Sequence, residues 1–397
     1  MTVWICTPPL NVRRSELRSD QTILNATFAL AGTMTTYLGT MLPTLVTRWS
    51  LTDAQSGELF TAQFAGAMAG SLSQGWIGSR WGAPRSVAIG YLLMAFGIAA
   101  VVWGGPPTVL AAMFCSGVGI GWAVPASNWL AARYSRGDDQ VRAINVLNTA
   151  WCAGAVAGPA LIARGLTWFG FEPTLLVLTA VLLCASATAC LLTSVDAGTA
   201  RPATTPTSRR RVRSLAFVAA GMLFLYVGFE NGISGWTPTL AARELMLSNT
   251  DASLALSAFW GSVLVARALA SFTKLSRWIG LPSLMAGLSS TALGIVLMTA
   301  THNRIALGVG VVLAGLGCST IFPTIVSLFQ IRGGAGSESW LGFIIASGSL
   351  GATIIPWWIG ASSSRLGGLR WSMLAILVAS VVAVAALVPS MREERPA

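Results

Sequence analysis

Hydrophobic positions in this chain run on without the polar interruptions of a water-facing helix, and the charges collect in the gaps between the runs. Apolar stretches of about 20 residues, the length a helix needs to cross a hydrocarbon layer, lie near 22–46, 55–77, 84–104, 107–131, 141–165 and 171–193. A second set lies near 214–240, 252–273, 281–300, 304–330, 339–362 and 369–390. Between the sets, Val195 to Arg213 is rich in Thr, Ala, Pro and Arg, a composition that buries too little apolar area to fold alone. The pattern predicts an all-α integral membrane protein with twelve transmembrane helices in two pseudo-symmetric six-helix bundles. Its parts are a tail over 1–21, a bundle over 22–193, a linker over 194–213, a second bundle over 214–390 and a tail over 391–397.

Composition agrees. Of 397 residues, 54% are hydrophobic and only 10% charged, with a mean hydropathy of +0.68, whereas a soluble domain carries about 25% charged residues to face water. The net charge of +11 raises the question of nucleic acid. The basic residues sit at the ends of apolar runs and not along one stripe, so topology accounts for them and a nucleic-acid partner is not expected. With the N-terminus in the cytoplasm, 18 of the 25 Lys and Arg residues fall inside and 6 outside, with Arg267 inside a helix. That excess predicts a multi-pass protein of a bacterial-type inner membrane with both termini cytoplasmic. Trp4 to Leu10 is too short for a signal-peptide core and is followed, not preceded, by Arg13 and Arg14, so it reads as a retained tail. Five of the six cysteines fall within apolar runs, without metal or redox spacing, and read as small buried hydrophobes.

The two halves repeat. Leu42-Pro43-Thr44-Leu45 matches Thr237-Pro238-Thr239-Leu240, and Ser79-Arg80-Trp81 matches Ser276-Arg277-Trp278. Gly117-x-Gly119 with Pro125 matches Gly315-x-Gly317 with Pro323, and Gly154 with Pro159 matches Gly351 with Pro356, all at offsets of 195 to 198. Such a parallel repeat is a device transporters use to place a solute site between two halves.

On these features the chain resembles the major facilitator superfamily over essentially its whole length, which implies a central cavity and alternating access. The stretch Gly75-Trp-Ile-Gly-Ser79-Arg80-Trp-Gly82-Ala-Pro-Arg85 resembles the family's loop between helices 2 and 3, which makes Gly75, Arg80, Gly82 and Arg85 gating-loop candidates; Ser79 stands where the family usually has Asp. Within the family the likeness is to the fucose permease-like, sugar:proton symporter branch. It rests on Phe224 to Trp236 in helix 7, Ser257-Ala-Phe259-Trp260 with Ala266-Arg267 in helix 8, Gly117 to Asn128 in helix 4 and Leu147-Asn148 in helix 5. Fucose permeases are expected to carry an Asp in helix 1 and a Glu in helix 4, whereas the predicted helix 1 has no acid and the helix 4 position holds Val124. Coupling by that route is not expected.

Glu230 is the one acid deep within a predicted span. A charge there costs roughly 2.5 to 3.5 kcal/mol, so it needs a partner or a wet cavity. It either takes up H⁺ or Na⁺ during a transport cycle or forms a fixed pair with Arg267, which helix depth places about 12 Å away along the membrane normal. Arg267 in turn is either that structural partner or an anchor for an anionic solute. Gln63, Asn128, Asn145, Asn148 and Asn231 are amides within spans, suited to polyols and sugars or to bonding between helices. Trp129, Trp151, Trp236 and Trp260, with Tyr226, lie within spans near polar residues, where an aromatic face can stack on a solute ring or simply pack. The run Gly117-Val-Gly119-Ile-Gly121 lacks dinucleotide-loop spacing and reads as a helix contact. No nucleophile, base and orienting acid occur together and no phosphate-cradling loop exists, so the expectation is no enzyme and no cofactor beyond a coupling ion. The function expected is secondary active transport of a small sugar- or polyol-like solute by a monomer in the lipid bilayer. The alternative is proton-driven export of hydrophobic compounds.

Overall fold

The computed structural model describes residues 14–135, 139–193, 209–272, 280–300, 302–334, 337 and 340–391. The tail before residue 14, most of the linker and the last six residues lie outside the described residues. Among the described residues are twelve α-helices and no strand. They are α1 (Arg14–Trp49), α2 (Asp53–Trp81), α3 (Ala83–Trp103), α4 (Pro106–Arg133), α5 (Asp139–Phe169) and α6 (Phe171–Ala189), then α7 (Arg209–Glu244), α8 (Asn249–Phe272), α9 (Leu281–Ala300), α10 (Arg304–Gly333), α11 (Leu341–Ser362) and α12 (Leu369–Leu387).

Ten of the helices are long and apolar enough to cross a membrane. α1 and α2 are more polar, and in α1 the polarity comes mainly from threonine. Thr33, Thr35 and Thr47 return their hydroxyl protons to the carbonyls of Ala29, Ala31 and Pro43 one turn back, at 3.3, 2.9 and 3.0 Å. Lipid offers no partner for those groups, and this back-bonding satisfies them within their own helix.

Two predicted boundaries move. α1 starts at Arg14 and not at 22, so part of the predicted tail is helix, and α7 starts at Arg209, inside the predicted linker. Hydropathy marks where a helix enters lipid, and charged turns that project beyond it do not register.

The chain divides into two compact units, Met1–Leu38 with Ala62–Arg201 and Gly39–Thr61 with Pro202–Ala397. In the first, α3 packs on α4 and α6, and α5 on both α4 and α6; in the second, α9 packs on α10 and α12, and α7 on α8, α10, α11 and α12. The internal repeat reappears as matched backbone contacts. A Cβ added to Gly154 would sit 1.7 Å from the Ala29 carbonyl oxygen, and one added to Gly351 would sit 1.8 Å from that of Phe224. Gly90 meets the Gly119 carbonyl as Gly287 meets that of Gly317, and Gly117 meets the Gln63 carbonyl as Gly315 meets that of Phe259. The caps repeat as well. Gln55 accepts from the Thr52 amide while Thr52 Oγ1 accepts from the Gln55 amide at the start of α2, and Ser248 and Asp251 bond to each other at the start of α8.

The second unit includes the hairpin over 39–61, which seats on α7 and α11. A Cβ on Gly360 would meet the Asp53 carbonyl at 2.2 Å, and one on Gly57 would meet the Trp357 backbone at 3.0 Å. Thr61 donates to the Thr353 carbonyl at 3.2 Å, and Asp53 pairs with Arg243 at 2.6 Å. Trp236, fully buried, lies 5.6 Å from the Phe60 ring and donates from Nε1 to the Pro356 carbonyl at 2.9 Å. Trp236→Phe keeps an aromatic ring there but removes the donor. It also leaves a cavity where the larger ring was fully buried, so the expected cost is roughly 2 kcal/mol or more, bond and cavity together, read as a lower thermal midpoint in detergent.

Candidate functional site

Glu230 sits two turns before Pro238 on α7, and Tyr226, four residues earlier, falls on the same face. Gly228 and Gly232 turn to α11, where an added Cβ would lie 2.3 Å from Ile355 and 2.9 Å from Ile359. Glu230 and Tyr226 instead meet α10, and both are buried. The Tyr226 hydroxyl lies 2.5 Å from Glu230 Oε1 and 2.9 Å from the Cys318 carbonyl oxygen. The phenol ring packs edge-on against Phe229 at 5.3 Å and beside Phe322 at 6.3 Å. Cys318 Sγ is 3.9 Å from Thr291 Oγ1 on α9. Arg267, half-buried on α8, lies within electrostatic reach of both Glu230 and Tyr226.

The hydrogen count gives this trio its chemistry. A phenol has one proton to donate, yet two acceptors lie within bonding distance of Tyr226. If Glu230 is protonated, it donates to the phenol oxygen and Tyr226 donates to Cys318, so every group is satisfied. When Glu230 is ionised, Tyr226 must turn its proton to the carboxylate and the Cys318 carbonyl loses this donor. The Cys318 carbonyl keeps its own helix donor within α10 and gives up only this second one, so the bonding pattern follows the protonation state of one carboxyl group.

The other predicted residues divide between the units. In the first, Asn148 donates to Asn128 at 3.5 Å and to the Ile144 carbonyl at 2.8 Å. Asn145, Asn148 and Thr149 are exposed within an apolar helix and gather polar groups on one part of α5. Trp129 is half-buried with the Arg133 guanidinium 5.0 Å from its ring centre, and Trp151 turns its carbonyl against Gly32. Gln63 is buried and donates to the Met34 carbonyl at 3.2 Å, while its Oε1 has no partner among the described residues. In the second unit, Asn231 is half-buried and back-bonds to Val227 at 2.8 Å, and Trp260 is buried edge-on to Phe259 at 5.4 Å. Trp236 belongs to the packing of the 39–61 hairpin, as described above.

Of the gating-loop residues, Gly82 has φ +83° between α2 and α3, a conformation that glycine adopts without strain. Gly75 and Arg85 are exposed, and the Arg80 guanidinium lies 5.7 Å from the Trp76 ring centre.

Sequence reasoning missed several charged groups. The run over 22–46 has no acid, as expected, but α1 begins earlier and so takes in Glu16 and Asp20; Asp20 is 5% exposed and accepts from the Thr193 amide at 3.2 Å. It precedes the apolar run and so escaped a hydropathy reading. The Asp53–Arg243 pair and the group Glu244, His302 and Arg370 join residues far apart in sequence, and no local signal pointed to them.

Residues 24–337 match the family model described as Major Facilitator Superfamily. The chain belongs to that superfamily. It is therefore a multi-pass membrane transporter and not an enzyme, and its relatives fit this placement. The 4-hydroxybenzoate transporter PcaK of Pseudomonas aeruginosa is 27% identical over 90% of this chain and 87% of its own length. A protein TsgA homolog of Yersinia enterocolitica is 22% identical over 82% of this chain and 84% of its own. Among solved structures, a bacterial homolog of the human lysosomal transporter Spinster, inward-facing and occupied, superposes with a TM-score of 0.76 at 14% identity, covering 96% of this chain and 97% of that one. The D-xylose-proton symporter gives a TM-score of 0.71 at 15% identity, covering 95% and 99%. At such identities these two superfamily structures speak to the fold alone.

Proposed function

We propose that this superfamily member is a proton-coupled secondary transporter of a small organic carboxylate, of the aromatic acid kind. In this reading it acts as a monomer in a bacterial inner membrane with both termini cytoplasmic, and the segment from Gly75 to Arg85, the end of α2 and the start of α3 joined at Gly82, gates the cytoplasmic side. The observation that carries the proposal is the bonding of Glu230, Tyr226 and Cys318, an arrangement in which arrival of a single proton would exchange one donor for another. Two features favour a carboxylate. A guanidinium on α8, Arg267, presents the forked donors that suit one, and the 4-hydroxybenzoate transporter is similar over 90% of the chain. One proton entering with one monoanion makes the movement electroneutral, so the pH gradient and not the membrane potential supplies the drive.

A second reading, a sugar or polyol carried by a fucose permease-like protein, is favoured by the amides of Asn128, Asn145 and Asn148 on and beside the exposed polar positions of α5. Counterflow in proteoliposomes separates the readings. Vesicles loaded with unlabelled 4-hydroxybenzoate are expected to draw in labelled 4-hydroxybenzoate transiently, while xylose- or fucose-loaded vesicles draw in no labelled sugar. Sugar counterflow without carboxylate counterflow would replace the first reading with the second. Movement of a lipophilic cation alone would favour export of hydrophobic compounds over both.

A further inference from the structure

Two charged groups meet at the last turn of α7. Arg243 pairs with Asp53, the first residue of α2, with Nη1 and Oδ1 2.6 Å apart. Glu244, the next residue, faces the other way, toward the segment between α9 and α10 and the start of α12. Its Oε2 lies 3.5 Å from His302 Nε2 and 4.0 Å from Arg370 Nη1. Arg370 is 6% exposed, bonds from Nε to the Thr299 carbonyl on α9, and places Nη1 2.7 Å from Nδ1 and 2.5 Å from Nε2 of His302. Among the described residues, the charged groups at the imidazole are thus Glu244 from α7 and Arg370 from α12, and Arg370 is itself anchored on the Thr299 carbonyl of α9. Exposed Arg304 lies two residues along its own segment.

A guanidinium only donates, so a bond from Arg370 to the imidazole needs a ring lone pair, which the neutral ring offers and the protonated ring does not. Protonation removes that lone pair. The ring then becomes a second cation against a nearly buried arginine and a donor toward Glu244. His302 is the only histidine in the chain and is itself exposed, with free access to bulk protons.

We propose that His302 is a proton-operated switch on the seat of the 39–61 hairpin. Neutral His302 holds Arg370 and leaves the last turn of α7 placed so that Arg243 reaches Asp53. Protonated His302 gives up Arg370, engages Glu244 and draws that turn toward the α9–α10 segment, which loosens the Asp53–Arg243 pair. The switch is separate from Glu230. It would regulate seating of the hairpin whatever solute is carried, and its link to transport rests on the transporter reading.

Hydrogen–deuterium exchange on the full-length protein in detergent tests this without a substrate. The amides over residues 49–56, where the hairpin turns, are compared in wild type and His302→Gln at about pH 5.5 and about pH 7.5, either side of the ordinary imidazole range. Comparing the two proteins at the same pH cancels the intrinsic rate. Gln keeps an acceptor for Arg370 but cannot become charged. The turn is expected to exchange alike in both at the higher pH, and up to about five-fold faster in wild type at the lower, the range one partly exposed ion pair commands. Glu244→Gln, which leaves the His302–Arg370 contact in place, is expected to abolish the same acid effect, so the outcome does not hang on one variant. Equal exchange in wild type and His302→Gln at both pH values would overturn the proposal, as would slower exchange of wild type at the lower pH. Absence of any transport with an unaltered exchange pattern would instead count against the transporter reading alone.

Discussion

Glu230→Gln is expected to abolish uphill accumulation while leaving exchange of solute for solute intact. A monoanion entering with one proton can be concentrated about ten-fold by a one-unit pH gradient, the equivalent of about 1.4 kcal/mol. The substituted amide would hold the neutral, bonded pattern permanently: its N–H donates to the phenol oxygen and Tyr226 donates to the Cys318 carbonyl, as with a protonated acid. Half of the cycle then runs in both directions, and the proton has nowhere to ride. In proteoliposomes with an inward pH gradient, labelled 4-hydroxybenzoate should reach about ten-fold inside with wild type and only equilibrate with the variant. Counterflow at equal pH should proceed in both. Accumulation by Glu230→Gln to the wild-type level would show that coupling lies elsewhere and would leave the carboxyl as a structural partner of Arg267.

Much of this was legible in the chain, because lipid imposes a simple rule on backbone groups. α9 occupies residues 281–300 as hydropathy predicts, and α10 begins at Arg304 as expected. The offsets of 195 to 198 between matching Gly and Pro positions carry through to matching helix contacts. The remainder depended on rotation of each helix about its axis. When a helix is apolar nearly all round, its pattern does not say which side faces a neighbour, so the 92-residue separation between Tyr226 and Cys318 left no trace. The same holds for hairpin 39–61, whose sequence continues the first repeat although it belongs to the second unit.

The same contacts give the largest expected effect on folding. Alanine at Gly154 or Gly351 would place its methyl carbon 1.7 or 1.8 Å from a backbone carbonyl of α1 or α7, far inside any contact distance. A carbonyl within a helix cannot step aside as a flexible side chain does, so two whole helices must part. Overpacking of this kind costs roughly 1 to 3 kcal/mol and often more where backbone must shift. Glycine was chosen at these sites despite its own conformational penalty, which elsewhere in a helix runs to about 0.5 to 1 kcal/mol relative to alanine. Gly75 and Gly308 provide the contrast, since a Cβ at either meets nothing within 4 Å. Gly75→Ala and Gly308→Ala should therefore raise the detergent thermal midpoint slightly, whereas Gly154→Ala and Gly351→Ala should lower it sharply and cut the monodisperse yield. Because the two close contacts are one contact built twice, their penalties should also agree with each other. A tolerated alanine at Gly351 alone would mean that α7 and α11 pack less tightly than their counterparts α1 and α5, and that the repeat governs sequence more strictly than it governs structure.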